Sequence, residues 1–286
     1  MTAPRPTPET IRAERAAAPT ARERDFADGL GITEADLLAA HLGPHDGTTI
    51  TRIQADPARI LAALAPYPSI MGLTRNDIAI LEITGHYRDG DGRVGIDITP
   101  DHWVHGFAMT RTVSGGLRRS LQIFDAAGEA VHKAFALEGS EAPGWDEMVA
   151  GLALPEQSDL FTPAAPPAGG MAGRDAAGAA RELAPGAFER LMRGAAEAAV
   201  PVRLRVTNRG CAAEYEGPIV KTATYGPYWN VLDPGLEMHL RTDRLARIAQ
   251  MPDGAVLGLD AAGATVIELA GTDAAGWAAL LDAEPA

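Results

Sequence analysis

Along the chain, the spacing of apolar positions changes character three times. From about Thr10 to Ala65 it is helical. Ile11 to Ala17 and Ala21 to Leu30 carry helix formers, and Leu37 and Leu38 follow Thr33, an N-cap residue with Glu34 and Asp36 in the first turn. Asp56-Pro57 opens another helix, with Ile60, Leu61 and Leu64 on one face, and Pro66 and Pro68 end it. From Ile70 the period shortens to alternation. Ile78 to Ile83, Ile96 to Ile98, Trp103 to Met109, Leu117 to Phe124 and Ala130 to Leu137 read as strands. Asp89-Gly90-Asp91-Gly92, Ser114-Gly115-Gly116 and Asp125-Ala126-Ala127-Gly128 are the turn signals around them. The pattern predicts helices followed by an antiparallel meander.

Pro155 to Gly178 interrupts this with clustered Pro, Gly and Ala, the composition of a linker. After it, Ala187 to Ala199 is helical, with Phe188, Leu191, Met192 and Ala195 on one face. Strand texture then runs from Val202 to Leu269, and a short helix covers Ala274 to Leu281.

The two halves resemble each other. Phe124-Asp125-Ala126-Ala127-Gly128 matches Leu259-Asp260-Ala261-Ala262-Gly263, Gly144-Trp145 matches Gly276-Trp277, and Thr74-Arg75-Asn76 matches Thr207-Asn208-Arg209. Their order and near-constant offset, between about 132 and 135 residues, predict an internal duplication. The expected fold class is α+β, a tandem repeat in which each copy is helices followed by an antiparallel sheet. The expected boundaries are 1–154 for the first copy, 155–178 for the linker and 179–286 for the second.

Composition narrows the function. With 286 residues there is chain enough for two cores, and only 5% aromatic residues make those cores mainly Ala, Leu, Val and Ile. No run of about 18 apolar residues exists, so no membrane-spanning helix is expected. The first residues carry no apolar h-region, which makes the cytoplasm the expected location. Thirty-eight acidic against 25 basic side chains give a net charge of −13, and no Lys/Arg cluster is denser than Arg118-Arg119. Such a surface argues against nucleic acid and anionic lipid as partners. Cys211 stands alone, which excludes an internal disulfide or a cysteine zinc site. Hydrolase, kinase and dinucleotide-binding signatures are absent.

Several long strings resemble the haemin-degrading, haem-utilisation family of bacterial proteins, the HemS-like group. In the first half these are Leu73 to Tyr87, Asp101 to Met109 and Arg118 to Phe135; in the second, Thr207 to Lys221, Gly226 to Arg241 and Leu259 to Gly263. The resemblance implies a two-repeat protein whose sheets form a saddle, and haem as ligand or cargo. It also implies an axial histidine in the segment leading into the second repeat, and an arginine just before the His-Trp pair. This sequence departs at both places. None of its seven histidines lies between Lys133 and Met238, and Asp97 stands where the arginine would.

Haem iron is held by His, Cys, Met or Tyr. His239 is then the candidate metal ligand, with Arg241 on the same strand face as a propionate partner, and a core histidine as the competing reading. Arg244 and Arg247 are further propionate candidates. Tyr225, Tyr228 and Met171 are weaker ligand candidates, and Cys211 reads as a small buried hydrophobe. By the repeat, Asp97 occupies the position of His239. The expected function is a cytoplasmic haem-binding or haem-trafficking protein of iron acquisition with altered or weak ligation. The alternatives are a haem-degrading, oxygenase-like enzyme and a paralogue without haem acting as scaffold or regulator. The expected partner is haem, with a homodimer as an option.

Overall fold

The structure is a computed structural model that describes residues 5–88, 92–137, 142–171 and 173–285. Its helices are α1 (Pro8–Ala17), α2 (Glu23–Leu30), α3 (Glu34–Ala40), α4 (Pro57–Leu64), α5 (Trp145–Leu152), α6 (Ala187–Ala198) and α7 (Ala274–Asp282). The strands of the first half are β1 (Gly43–His45), β2 (Thr48–Ile53), β3 (Ile70–Arg75), β4 (Ala79–Gly85), β5 (Gly95–Ile98), β6 (His105–Val113), β7 (Gly116–Phe124) and β8 (Ala130–Ala136). Those of the second are β9 (Arg181–Glu182), β10 (Val202–Thr207), β11 (Cys211–Gly217), β12 (Thr222–Tyr225), β13 (Tyr228–Asp233), β14 (Leu236–Leu240), β15 (Arg247–Gln250), β16 (Val256–Leu259) and β17 (Thr265–Gly271).

The helix starts follow their caps. Thr33 and Asp36 close a reciprocal capping box on α3, and Asp56 accepts the Arg59 N–H at the head of α4. One expectation fails here. The stretch read as helical contains the β1–β2 hairpin, which turns on Asp46 and Gly47 at φ +44° and +76°. That Asp-Gly pair is a two-residue hairpin signal, and the β-branched run Thr48 to Thr51 follows it. A smaller difference is that β6 starts at His105, because Pro100–His102 forms a single 3-10 turn.

The chain divides into two compact units. Unit 1 comprises Met1–Ile70, His86–Arg88 and Pro100–Ala168, and unit 2 the remainder. Within unit 1 the strands lie in the order β1-β2-β6-β7-β8, with α3 packed through Ala35, Leu38 and Ala39 against Ile50, Phe107, Met109 and Phe124. Unit 2 holds β3-β4-β14-β13-β12 and a seven-stranded sheet, β5-β11-β10-β17-β16-β15-β9. The pairings β10–β17, β4–β14 and β6–β7 are antiparallel, as the α+β tandem-repeat class requires.

The duplication is visible in the hydrogen bonds. After β3, Asn76 Oδ1 accepts the N–H groups of Ile78 and Ala79; after β10, Asn208 Oδ1 accepts those of Gly210 and Cys211. Asp125 and Asp260 likewise each accept from backbone N–H groups two and four residues on. Gly128 and Gly263, at φ +91° and +81°, complete the same turn. The strand before each 3-10 turn is exchanged between copies. β14 pairs with β4, setting His239 opposite Ile80, and β5 pairs with β11, setting Asp97 opposite Ala212. Ile80 and Ala212 are themselves repeat counterparts, 132 residues apart.

The described residues of 155–178 form neither helix nor strand. They are tied down at intervals nonetheless. Arg52 donates to the carbonyls of Ser158 and Leu160, and Ala164 N–H to Ala126 O. Further on, Met171 N–H donates to Arg209 O and the Thr265 hydroxyl to Arg174 O. Chain that cannot build a core still satisfies its backbone on neighbouring strands.

Candidate functional site

His239 lies on β14 and is 25% exposed. Alternation along β14 buries Leu236, Met238 and Leu240 and leaves Glu237, His239 and Arg241 on the outer face. Register then assigns its neighbours: Asn230 on β13 directly opposite, and Ile80 on β4 on the other side.

Asn230 sets the chemistry of the imidazole. Its Nδ2 donates to the carbonyls of Ala223 and Tyr228, both at 3.0 Å, so Oδ1 is the atom 2.6 Å from His239 Nδ1. An amide oxygen only accepts, so Nδ1 carries the hydrogen and Nε2 carries the lone pair of the neutral ring. This outer hydrogen bond is the kind that fixes tautomer and ring orientation in metal-binding histidines. Glu237 Oε2 lies 3.8 Å from Nε2.

Glu237 also stands directly opposite Glu82 of β4. Burial first, and the Glu237 charge second, push the Glu82 carboxyl up to about 7. The repeat shows what is unusual here. The counterpart of Glu82 is Glu214, which faces Arg205 on β10 across a 3.3 Å ion pair. The residue at the position of Arg205 in the first copy is Leu73. Ile80 therefore stands opposite His239, next to a Glu82 that has leucine where Glu214 has arginine, whereas the equivalent face around Asp97 is charged and self-paired.

The structure brings together His239, Arg241, Tyr228 and Tyr225. Tyr225 pairs with Tyr228 across β12–β13, and the Arg241 guanidinium sits 5.5 Å from the Tyr228 ring centroid. Arg241 is committed to Asp243 through two 2.8 Å hydrogen bonds, which hold its pKa above the usual arginine value. Arg247 is paired with Glu182, while Arg244 makes no carboxylate pair among the described residues. Tyr225 is 65% exposed. Asp97 is not brought to this group: it lies on the edge strand of the seven-stranded sheet, 2.6 Å from Arg205. Met171 belongs to that second cluster, its sulfur 3.8 Å from Arg205.

The remaining candidates are structural. Cys211 is fully buried 3.3 Å from Thr74 Oγ1, and burial pushes its thiol up to about 12. His132 is buried against Trp103 and shares a 2.6 Å hydrogen bond with the Tyr87 hydroxyl; burial drives its pKa down to about 3. Among the described residues no cluster of three or more His, Cys, Asp or Glu side chains could hold a metal ion, and no helix is long and apolar enough to cross a membrane. The sequence reading missed Asn230, Glu82 and Glu237 as partners of His239. Their only local signal is a polar residue on an otherwise apolar alternating strand.

Two copies of a helix-and-antiparallel-sheet unit with exchanged strands define a tandem α+β class, and comparison with known proteins places that class. Residues 31–152 and 170–282 match the haemin-degrading HemS.ChuX domain. The chain belongs to this family. Among curated relatives it is 32% identical to the hemin transport protein HmuS of Yersinia pestis and 30% identical to the hemin transport protein HemS of Yersinia enterocolitica, each over 148 residues. Each alignment spans 48% of this chain and 42% of the relative. The crystal structure of holo-PhuS, a heme-binding protein from Pseudomonas aeruginosa, superposes with a TM-score of 0.83 at 25% identity, covering 98% of this chain and all of that one. The heme degrading enzyme ChuS of Escherichia coli O157:H7 shares the fold at a TM-score of 0.82 and 21% identity, over 98% of this chain and all of that one.

Proposed function

We propose that this chain binds haem on the outer face of β4, β14 and β13, with His239 Nε2 as the protein ligand to iron. The observation that carries the reading is the Asn230 contact, which keeps the lone pair on Nε2. The donor set fits the group: a neutral imidazole for the metal, with Ile80 and the Tyr228 ring as apolar surface for a macrocycle. Family membership and the likeness to a heme-binding protein support haem as the ligand. Bound haem would supply a redox-active iron centre. The chain's own residues orient the ligand and cover part of its face. Arg241, already neutralised by Asp243, is a weak propionate partner, and Arg244 is the better one.

We read the chain as a carrier in iron acquisition, acting in the cytoplasm, with ligation different from the family's usual histidine. Carriage is favoured over ring opening because Asp97, which stands where the family's arginine would, lies away from this face and is paired with Arg205, so it supplies no hydrogen-bond donor to a haem held by His239. We take the two functional repeats as 1–154 and 179–286, joined by 155–178. Haemin titration followed by absorption tests the proposal. A sharp, shifted Soret band is expected for the wild type and its loss for His239→Ala; an unchanged spectrum in the variant would overturn the assignment.

A further inference from the structure

β1, β5, β9 and β12 end the sheets, and the first three are blunted. β1 is three residues long around Pro44, β9 is two residues long, and β5 carries Asp97, paired with Arg205. Short length, proline and charge are how a sheet edge avoids pairing with another chain. β12 carries neither charge nor proline: it reads Thr222-Ala223-Thr224-Tyr225 and is paired on one side only, by β13. The ladder fixes which way its backbone points. Leu232 N–H donates to Lys221 O at 2.9 Å, so Lys221, Ala223 and Tyr225 turn their main-chain polar groups toward β13. Thr222 and Thr224 turn theirs outward, where no strand of the chain meets them.

The side chains along this edge are also without partners in the chain. Lys133 and Lys221 are its only two lysines. Lys133 is buried 2.7 Å from Glu34, whereas Lys221 is exposed and makes no ion pair among the described residues. The N–H groups of Val220 and Lys221 donate to the Asp233 carboxylate at 2.8 and 2.7 Å, which holds the backbone straight as it enters the strand. Tyr225 is 65% exposed and Val220 75%, among the most exposed of the large apolar side chains. Alternation puts Lys221, Ala223 and Tyr225 on one face. That order is complementary to its own reverse: lysine meets tyrosine, and alanine meets alanine.

We propose that β12 pairs antiparallel with β12 of a second copy of this chain, about a twofold axis at Ala223. Thr222 then exchanges main-chain hydrogen bonds with the partner's Thr224, and Thr224 with the partner's Thr222. Lys221 faces the partner's Tyr225 on each side of the axis, with Cβ atoms about 4.5–5.5 Å apart, within reach of a cation–π contact. The interface is isologous, as a closed dimer requires. An unrelated extended peptide can use the same main-chain groups but brings no matched tyrosine and lysine. Sedimentation velocity on the full chain over rising concentration tests this, and crosslinking reads the register. The wild type should pass from monomer to dimer. Thr224→Pro removes an outward N–H and leaves the β13 ladder intact, so it should raise the dimer dissociation constant by about tenfold or more. Lys221→Ala, which loses both cation–π contacts, should raise it by about tenfold. Ala223→Cys sets two thiols across a non-hydrogen-bonded pair with Cα atoms about 4.5 Å apart, and oxidation by diamide should join them as a disulfide dimer. Thr224→Cys should not crosslink, because the partner residue opposite it is Thr222, and Cys211 is buried. Should Thr224→Pro misfold, the two cysteine variants decide. A wild type that stays monomeric at the highest concentration reached, a dimer unaffected by a folded Thr224→Pro, or Ala223→Cys crosslinking no faster than Thr224→Cys overturns the proposal.

Discussion

His239 and Asn230 face each other across the β13–β14 ladder, 2.6 Å apart, and the amide determines which imidazole nitrogen keeps its hydrogen. Replacing Asn230 with Leu removes that control and lets the ring turn or change tautomer. Haemin affinity should fall by about tenfold or more, the usual effect of losing a partner behind a metal-binding histidine. Asn230→Asp keeps an acceptor at the same place and should retain more of the affinity. Titrations well below the melting temperature separate this from instability, since Asn230 also holds the carbonyls of Ala223 and Tyr228. Equal affinity in Asn230→Leu and wild type would remove the orienting role.

Glu82 makes stability depend on pH in a definite direction. Its carboxyl, ordinarily at 4.5, is raised to about 7 in the folded protein by burial and by Glu237. The folded state therefore holds a proton that the unfolded state has released between those values. Stability linked to Glu82 is fully present below pH 4.5, declines as pH rises, and is gone above about pH 7. The loss is at most about 3.5 kcal/mol, at about 1.4 kcal/mol for each pH unit between 4.5 and about 7. Glu82→Gln should abolish this slope and melt higher than wild type at pH 8. Thermal denaturation of both proteins from pH 4.5 to 8 measures it, and parallel curves would refute it.

The repeat and the site were legible to different depths, for a physical reason. Duplication shows in short turn strings, because Asp125 and Asp260 must each satisfy two nearby N–H groups, and only local sequence does that. Alternation also placed His239 and Arg241 on one face. It could not name what lies beside them, since Ile80 and Glu82 reach β14 only through strand exchange, over a hundred residues away in sequence. The same exchange puts Asp97 next to Ala212 and Arg205, a neighbourhood no local pattern encodes. The β1–β2 hairpin is hidden differently: Asp46-Gly47 and the β-branched run after it signal a turn and a strand, but they are short and lie between the longer helical patterns of α3 and α4.

Cys211 should be chemically silent in the folded protein. It is fully buried and its thiol is raised to about 12, so almost no thiolate exists at neutral pH. Labelling by an aromatic disulfide reagent at pH 8 should proceed only as fast as the molecule unfolds, and become immediate in denaturant. Rapid stoichiometric labelling under native conditions would contradict the burial.

The two repeat-related tryptophans differ in one hydrogen bond, and stability should report it. Trp145 and Trp277 are both buried, at 2% and 4% exposure. Trp277 Nε1 donates to Gly254 O at 2.8 Å, whereas Trp145 Nε1 is buried with no partner among the described residues. Phenylalanine deletes the indole N–H at either site, and both variants lose similar ring volume. At position 277 the change also breaks a bond and strands a carbonyl; at 145 it removes a donor that folding had to desolvate without return. Trp277→Phe should therefore be the more destabilising by about 2 kcal/mol. Denaturant melts of the two single variants give the comparison directly. If Trp145→Phe costs as much as Trp277→Phe, the Trp145 indole has a partner after all, and the asymmetry between the copies disappears.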